Sequence, residues 1–247
     1  MKRAFIIGLN YASEEYALSG CEFDADNLYR RMTAAGIPKK NITVAKGEFS
    51  ANDLFDILGF YQASCKPSDV TYITFSGHGT QLHSATEVDR MDEAICLYTL
   101  EDGIQVVKDD DLRKAIERIP GTVVLILDSC FSGGMQRTVA QPGRRRKSIP
   151  FNMQKMAVFH PGKSRVPEKP VLNKLYFLNA CGESEVSWDT ETGGLFTTVL
   201  CHYYDIGDYN PSFRRVGSLI KAVQASCKPD QTPNLVMVKG SGGKKLF

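Results

Sequence analysis

Four continuous apolar runs, each six residues long, are the feature that most limits how this chain can fold. They span Ala4 to Leu9, Val70 to Phe75, Thr122 to Leu127 and Lys174 to Asn179, and a weaker run spans Asn41 to Ala45. Each has the length and the β-branched content of a strand. Because the runs are continuous rather than alternating, they predict strands covered on both faces, as in a parallel sheet between helices.

Segments with helical periodicity separate these runs. They are Asp24 to Ala35, Ser50 to Ala63, Asp109 to Ile119, Leu195 to Tyr204 and Arg214 to Ala225. Ser50 stands three residues before Asp53, which is typical of a helix N-cap. A short hairpin is expected between Glu93 and Val107, with Asp102-Gly103 at its turn. The alternation predicts an α/β fold with a mostly parallel central sheet and helices on both faces.

Composition excludes several classes of protein. The chain has 247 residues, of which 43% are apolar, and these are ordinary values for a globular protein. No run of about 18 apolar residues is present, so we expect no membrane partner. The first apolar run is too short for a secretory signal.

The seven cysteines are odd in number and form no CxxC pair, which favours a reducing compartment, the cytoplasm, over a disulfide scaffold or a zinc site. No internal repeat or domain boundary is visible, so residues 1–247 are predicted to form one domain.

Charge is distributed unevenly along the chain. The net charge is +2, but the stretch from Arg137 to Lys169 holds nine Lys or Arg and one acid, leaving a net charge of −6 on the remainder. The same region, about 134–170, is rich in proline and poor in periodic apolar residues. More than 30 residues is too long for an ordinary connection. We interpret it as a basic insertion in an acidic domain.

Two predicted strands end in motifs that carry chemistry. The run from Val70 leads into His78 within Ser-Gly-His-Gly, and the run from Thr122 leads into Cys130 within Asp-Ser-Cys-Phe-Ser-Gly-Gly. In open α/β sheets ligands bind outside the carboxyl ends of the strands, so the two side chains are expected to lie side by side. A thiolate nucleophile with a neighbouring imidazole acid and base is the arrangement of a cysteine hydrolase. The backbone N–H groups of Gly79 and Cys130 could face a developing oxyanion.

A lone cysteine at a strand end is usually a small buried hydrophobe, and a lone histidine is usually a satisfied polar group. It is the combination of His78 and Cys130 at two strand ends, each beside glycine, that favours catalysis. At these residues the chain resembles the metacaspases, a family of caspase-like cysteine peptidases. The motifs that carry the resemblance are Ser76-Gly77-His78-Gly79-Thr80-Gln81 and Asp128-Ser129-Cys130-Phe131-Ser132-Gly133, supported by Leu18-Ser19-Gly20-Cys21, Asn179-Ala180-Cys181-Gly182, Gly194-Leu195-Phe196-Thr197 and Gln231-Thr232-Pro233.

The resemblance implies a caspase-like fold and an endopeptidase that uses His78 and Cys130 to cleave proteins or peptides after Arg or Lys. It also implies a monomer without an organic cofactor. The family's acidic specificity pocket matches Asp24 and Asp128, with Cys21 and Ser76 beside them. Charge supports this assignment, because carboxylates bind a guanidinium or ammonium and repel an aspartate side chain. The alternative for Asp24 is a structural role at the start of a helix.

Calcium dependence is a further expectation from the resemblance. The matching carboxylates are Asp92, Asp109 and Asp110, and hard oxygen ligands of this kind suit calcium. A further aspartate of the family falls at Arg137, so the site is incomplete and the guanidinium could substitute for the metal charge. The alternative is an acidic helix start that binds no metal.

The basic insertion has its own interpretation. Arg144-Arg145-Arg146-Lys147 offers cleavage sites to the enzyme's own specificity, and in metacaspases the region after the catalytic cysteine is commonly self-processed. The alternative is a solvated loop. Nucleic acid is not an expected partner, because no aromatic interleaving or recognised binding motif accompanies the charges.

Two other functions remain as alternatives. One is a catalytically silent caspase-fold module that works by binding partners. The other is a flavodoxin-like domain that binds a phosphate-bearing ligand, which is disfavoured because Gly8-Leu9-Asn10-Tyr11 after the first strand is not a glycine-rich phosphate loop.

Overall fold

The computed structural model describes residues 1–83, 91–131, 143–152, 154–162, 174–182, 185–205, 221 and 231–238. Within these ranges, no helix combines the length and the apolar character needed to cross a membrane. The predicted helix Arg214 to Ala225 lies almost wholly outside the described residues, as does Arg137.

A six-stranded sheet forms the centre of the molecule. Its strands, in spatial order, are β13 (Asn234–Val238), β10 (Lys174–Asn179), β7 (Thr122–Asp128), β3 (Val70–Ser76), β1 (Lys2–Gly8) and β2 (Ile42–Lys46). All neighbours are parallel except β13, which runs antiparallel to β10 at one edge. The five predicted runs are therefore the five parallel strands, and only the antiparallel edge strand was not predicted.

Four described helices cover the sheet: α1 (Cys21–Ala34), α2 (Ala51–Ser64), α3 (Asp109–Ile116) and α4 (Leu195–Asp205). A short 3₁₀ helix spans Lys39–Asn41. Ser50 caps α2, because its hydroxyl accepts a hydrogen bond from the backbone N–H of Asp53 at 3.1 Å. Helix α1 begins three residues earlier than the periodicity indicated, so Cys21 and Asp24 share its first turn.

The apolar residues of the parallel strands pack on both faces of the sheet. Phe5 and Ile7 belong to one buried cluster with residues of α2 and α3, whereas Ala4 and Ile6 belong to a second cluster with residues of α1 and α4. This explains the continuous apolar runs, since successive side chains of a strand point to opposite faces. The expected α/β fold, with a mostly parallel central sheet and helices on both faces, is confirmed.

Two smaller sheets lie beyond the carboxyl ends of the central strands. One has the order β4 (Gly79–His83), β5 (Met91–Thr99), β6 (Gly103–Lys108) and β9 (Met156–Val158), and the predicted hairpin is its β5–β6 pair. The other joins β12 (Gly193–Gly194), β11 (Trp188–Thr190) and β8 (Arg145–Arg146). Part of the basic insertion is therefore built into a sheet.

Candidate active site

The motifs that follow β3 and β7 lie side by side, as the sequence predicted. Ser76 and Asp128 are partners in the parallel register of the two strands. One residue further on, the N–H of Gly77 donates to the carbonyl oxygen of Asp128 at 3.3 Å. His78 and Cys130 therefore leave neighbouring strand ends at one edge of the sheet, and both are buried.

The His78 ring is fixed in one tautomer by its surroundings. Its Nε2 lies 2.7 Å from the carbonyl oxygen of Tyr16. Because a carbonyl can only accept, Nε2 carries the hydrogen, and Nδ1 keeps the lone pair of a base. Nδ1 makes no hydrogen bond within the described part of the chain. The Tyr11 ring packs against the imidazole at 4.7 Å between centroids, and its hydroxyl oxygen accepts the backbone N–H of His78 at 2.9 Å.

Burial lowers the pKa of His78 to about 4, and the nearby ammonium of Lys147 acts in the same direction. The imidazole is therefore neutral at physiological pH, which is the form that can accept a proton.

The Cys130 thiol points at a backbone carbonyl. Its Sγ donates to the carbonyl oxygen of Glu185 at 2.7 Å, and the residue has no exposed surface. The thiol lies in a small buried cluster with Cys181, Val186 and Trp188. Transfer of its proton to His78 would therefore need a rotation about the Cα–Cβ bond.

The expected oxyanion donors converge on one carbonyl oxygen, that of Lys147. The N–H of Gly79 lies 2.9 Å and the N–H of Cys130 lies 3.1 Å from this oxygen. Two backbone donors on one peptide carbonyl form the geometry that stabilises a tetrahedral oxyanion. Gly79 is required by the close approach, because a Cβ at this position would lie 2.4 Å from the carbonyl oxygen of Cys130.

The structure brings together Asp24, Ser76 and Asp128, the residues expected to form an acidic pocket, around the side chain of Lys147. The Lys147 Nζ lies 2.9 Å from Asp24 Oδ2, 2.8 Å from Ser76 Oγ and 3.2 Å from Asp128 Oδ2. Lys147 is completely buried, which a lysine tolerates only when its charge is paired. Because it pairs with two carboxylates, the pocket has the chemistry of a site for a basic side chain.

The carboxylates are held by further hydrogen bonds. Asp24 accepts from Ser76 Oγ at 2.6 Å and from the N–H of Gly194 at 2.9 Å. Asp128 accepts from Ser187 Oγ and from Thr197 Oγ1, both at 2.7 Å. These contacts prevent the two carboxylates from turning out of the pocket.

Burial opposes the charged form of Lys147, but the carboxylates of Asp128 and Asp24 outweigh it and hold the pKa of Lys147 well above its ordinary value. Burial raises the pKa of Asp24 to about 7, against the lowering effect of the Lys147 ammonium. The lysine is thus charged at neutral pH, and the pocket is stabilised by a basic occupant.

Cys21 lies beside this pocket, and its thiol contacts Asp189. Its Sγ is 3.8 Å from Asp189 Oδ1, and burial raises the pKa of its thiol well above the ordinary value. Asp189 accepts the N–H groups of Ser19 and Gly20 at 2.8 and 3.1 Å, and so connects the start of α1 to β11.

Sequence reasoning missed several residues of the site. Ser187, Asp189 and Gly194 were not assigned roles, nor was Thr197. Gly194 forms part of the pocket wall, since a Cβ there would lie 2.2 Å from both Lys147 Nζ and Asp128 Oδ2. The signal that could have found Gly194 and Thr197 is the Gly-Leu-Phe-Thr segment that opens α4.

Residues 145–149 of the insertion run in an extended path between β11 and β4. Arg145 and Arg146 pair with Asp189 and Trp188 in antiparallel register. Lys147 continues the strand by donating its N–H to the carbonyl of Ser187 at 3.0 Å, and Ile149 donates its N–H to the carbonyl of Gly79 at 3.1 Å. The bond between residues 147 and 148 therefore lies between two anchored peptide groups.

The residues expected to bind calcium are placed differently. Asp92 accepts from the Lys108 ammonium at 2.5 Å, and Asp110 pairs with Lys114 at 3.3 Å. Burial raises the pKa of Asp109 to about 6. Among the described residues, no three His, Cys, Asp or Glu side chains come together as a metal site. As placed, these carboxylates do not fit a calcium ion, because lysines already neutralise two of them.

Comparison with known proteins identifies the family of this chain. The caspase domain family model matches residues 1–239. The chain is 31% identical over 269 aligned positions to metacaspase-1 of Plasmodium falciparum, covering 100% of this chain and 41% of that protein. It is 25% identical over 213 positions to metacaspase-2 of Trypanosoma brucei brucei, covering 79% of this chain and 58% of that protein. The chain thus spans about half the length of these curated relatives.

A solved structure gives the same result for the fold. A protein from Geobacter sulfurreducens superimposes with a TM-score of 0.73 at 23% sequence identity, covering 97% of this chain and 94% of the other. With the family model matching nearly the whole sequence, the chain belongs to the caspase-domain family of cysteine peptidases, and metacaspases are among its relatives.

Proposed function

We propose that this protein is a cysteine endopeptidase that cleaves after Lys or Arg, with Cys130 as nucleophile and His78 as acid and base. One observation carries the proposal. The Lys147 side chain fills the acidic pocket while its carbonyl oxygen accepts the N–H groups of Gly79 and Cys130. A peptide segment of the chain therefore adopts the position of a substrate at the catalytic residues.

The first chemical step follows from the tautomer of His78. The Cys130 thiol rotates away from the Glu185 carbonyl and transfers its proton to Nδ1, and the thiolate then attacks the carbonyl carbon of the scissile peptide. The oxyanion is stabilised by the N–H groups of Gly79 and Cys130. The imidazolium returns its proton to the leaving amine, and water hydrolyses the resulting thioester.

Specificity for basic side chains is supported by the charge of the pocket. Asp24 and Asp128 present carboxylate oxygens to one ammonium, and a guanidinium would gain charge-assisted hydrogen bonds from the same pair. An aspartate side chain would meet two like charges in a buried site, which is unfavourable. We therefore expect cleavage after Lys and Arg and none after Asp.

Self-processing is the second part of the proposal, and the expected bond is Lys147–Ser148. It is supported by the antiparallel pairing of Arg145 and Arg146 with β11, together with the anchored peptide groups on both sides of the bond. While the bond is intact, Lys147 excludes other substrates from the pocket. The uncut chain is therefore latent, and cleavage frees the pocket once the new carboxyl terminus leaves.

We also propose that the enzyme acts without bound calcium, because the Lys108 ammonium supplies positive charge at Asp92. The hydrogen bond to Asp92 raises the pKa of Lys108, so that this charge persists throughout the neutral range.

The test uses purified wild-type protein and a Cys130→Ala variant with fluorogenic peptides that end in Arg, Lys or Asp. We expect wild type to cleave the Arg and Lys peptides and the variant to cleave none. Peptide mapping should show a new amino terminus at Ser148 in wild type only. Activity on Asp peptides alone would overturn the pocket assignment. No activity on any peptide, with an intact chain, would favour the catalytically silent binding module.

A further inference from the structure

Cys181 is a second buried thiol at the catalytic edge of the sheet, and the proposed mechanism does not use it. It stands two residues after the end of β10, next to β7 in the central sheet, and Cys130 stands two residues after the end of β7. The pairing of β10 with β7 continues beyond the last residue of β10, since the N–H of Ala180 donates to the carbonyl of Leu127 at 2.9 Å. Adjacent parallel strands are less than 5 Å apart, so the two cysteines leave neighbouring backbones.

The two thiols meet at one acceptor. The Glu185 carbonyl oxygen lies 2.7 Å from Cys130 Sγ and 3.8 Å from Cys181 Sγ. The Cys181 Sγ lies closer, at 3.5 Å, to the carbonyl oxygen of Ser129, the residue before Cys130. The two side chains also contact each other directly, and this contact, before burial, is the main reason why the pKa of Cys181 is raised well above its ordinary value. Both cysteines are reduced in the structure. The arrangement therefore holds two reduced thiols in contact with each other.

The surroundings limit what can reach these thiols. Val186 and Trp188 pack on the pair, and each is only 2% exposed. A small neutral oxidant such as hydrogen peroxide can enter such a site more readily than a bulky or charged one. Under the proposed function His78 takes the proton of Cys130, whereas contact with Cys130 and burial raise the pKa of the Cys181 thiol, so we expect the Cys130 sulfur to react first.

We propose that Cys130 and Cys181 form a reversible disulfide that inactivates the peptidase under oxidising conditions and protects its nucleophile. The Cys130 thiolate attacks one oxygen of peroxide, the O–O bond breaks, and with one proton a sulfenic acid and water form. The Cys181 sulfur then attacks the Cys130 sulfur, the S–O bond breaks, and hydroxide leaves with the Cys181 proton as water. Two thiols are oxidised and one peroxide is reduced. A dithiol reductant reverses the change.

A second thiol next to Cys130 would protect the Cys130 sulfur from irreversible oxidation. Without a resolving cysteine, a sulfenic acid is oxidised further to sulfinic and sulfonic acids, which thiol reductants do not restore. With Cys181 in contact, the intermediate is captured before that happens. The proposal rests on Cys130 as the nucleophile of the proposed function, but the disulfide itself can be detected without any peptidase activity.

The experiment compares wild type with Cys181→Ser and Cys181→Ala, and uses Cys65→Ser as a matched control remote from the site. Each protein is treated with hydrogen peroxide, the excess is removed, and activity on a Lys peptide is measured before and after dithiothreitol. Peptide mass analysis under non-reducing conditions searches for the Cys130–Cys181 cross-link. We expect wild type and Cys65→Ser to lose activity and regain it, with the cross-link present. Both Cys181 variants should lose activity and regain none.

Absence of the cross-link in oxidised wild type would overturn the proposal, as would full recovery of the Cys181 variants. If wild type cleaves no peptide, the proposed function fails, and the cross-link measured on the same samples still decides the disulfide. The alanine variant keeps the test valid if serine is not tolerated in the apolar cluster.

Discussion

Replacing Lys147 by Met tests the assignment of pocket and scissile bond together. Methionine has a similar length and is apolar, so the Lys147→Met variant keeps the shape of the segment and removes its charge. The lost contacts are those from Nζ to Ser76 Oγ at 2.8 Å and to the carboxylates of Asp24 at 2.9 Å and Asp128 at 3.2 Å, of which the two carboxylate contacts are the stronger. Hydrogen bonds to charged groups contribute about 1.5–3 kcal/mol each, so two of them amount to about 3–6 kcal/mol. At about 1.4 kcal/mol per factor of ten, self-processing should slow roughly 10²- to 10⁴-fold.

The assay follows newly translated, labelled protein on gels over time and identifies the products by intact mass. Lys147→Arg is the matched control, because arginine keeps the positive charge and should be processed at a rate near that of wild type. Cys130→Ala gives the uncut reference. The reasoning is refuted if Lys147→Met is cut after residue 147 at the wild-type rate, or if Lys147→Arg is as slow as Lys147→Met.

Three further predictions concern cation dependence, pocket shape and pH. Because Lys108 already supplies positive charge, EGTA should leave the peptidase rate of wild type unchanged, and a rate that falls with EGTA and returns with calcium would contradict this. Gly194→Ala should block processing, since the added Cβ would lie 2.2 Å from Lys147 Nζ; gels of this variant should show the intact chain. In an uncut Cys130→Ala background, the contribution of His78 to stability should fall as pH drops from 6.5 towards 4, because unfolding restores the ordinary pKa of His78 and the unfolded chain binds the extra proton. The raised pKa values of Asp24 and Asp109 act in the opposite direction, so the contribution of His78 is measured as the difference from the same background carrying His78→Gln. At pH 5 the loss of unfolding free energy due to His78 amounts to about 2 kcal/mol. Thermal melts should show that adding His78→Gln to the Cys130→Ala background removes the pH dependence that His78 contributes.

Much of the fold could be predicted from the sequence because the parallel strands are local features. A six-residue apolar run is a strand whether or not its neighbours are known, and helices between such runs require parallel pairing. The register of Ser76 with Asp128 then brings His78 and Cys130 to one edge. The antiparallel edge strand β13 was not predicted, although Asn234–Val238 is itself a short apolar run.

The occupant of the pocket could not be predicted in the same way. Four consecutive basic residues, 144–147, carry equivalent side chains, and only the path of the backbone selects one of them. That path is fixed by pairing with β11 and by the N–H groups of Gly79 and Cys130, which are long-range contacts. Likewise, Lys108 and Asp92 are distant in sequence, and their ion pair follows from the pairing of β5 with β6 rather than from the acidic cluster itself.

Under the proposed function, the position of Lys147 on the same chain as Cys130 determines how strongly an outside substrate must compete for the site. The two residues are 17 positions apart, so the segment acts on the site as a tethered ligand. Short tethers give effective concentrations of about millimolar. An outside substrate at about 1 μM, the low end of usual substrate levels, is roughly a thousandfold more dilute. An outside peptide of equal intrinsic affinity would thus occupy the cleft roughly a thousandth as often before the cut. Under the proposed function, dilution of the enzyme would not change how often Lys147 occupies the cleft, and activation would be a first-order event set by elapsed time rather than by enzyme concentration.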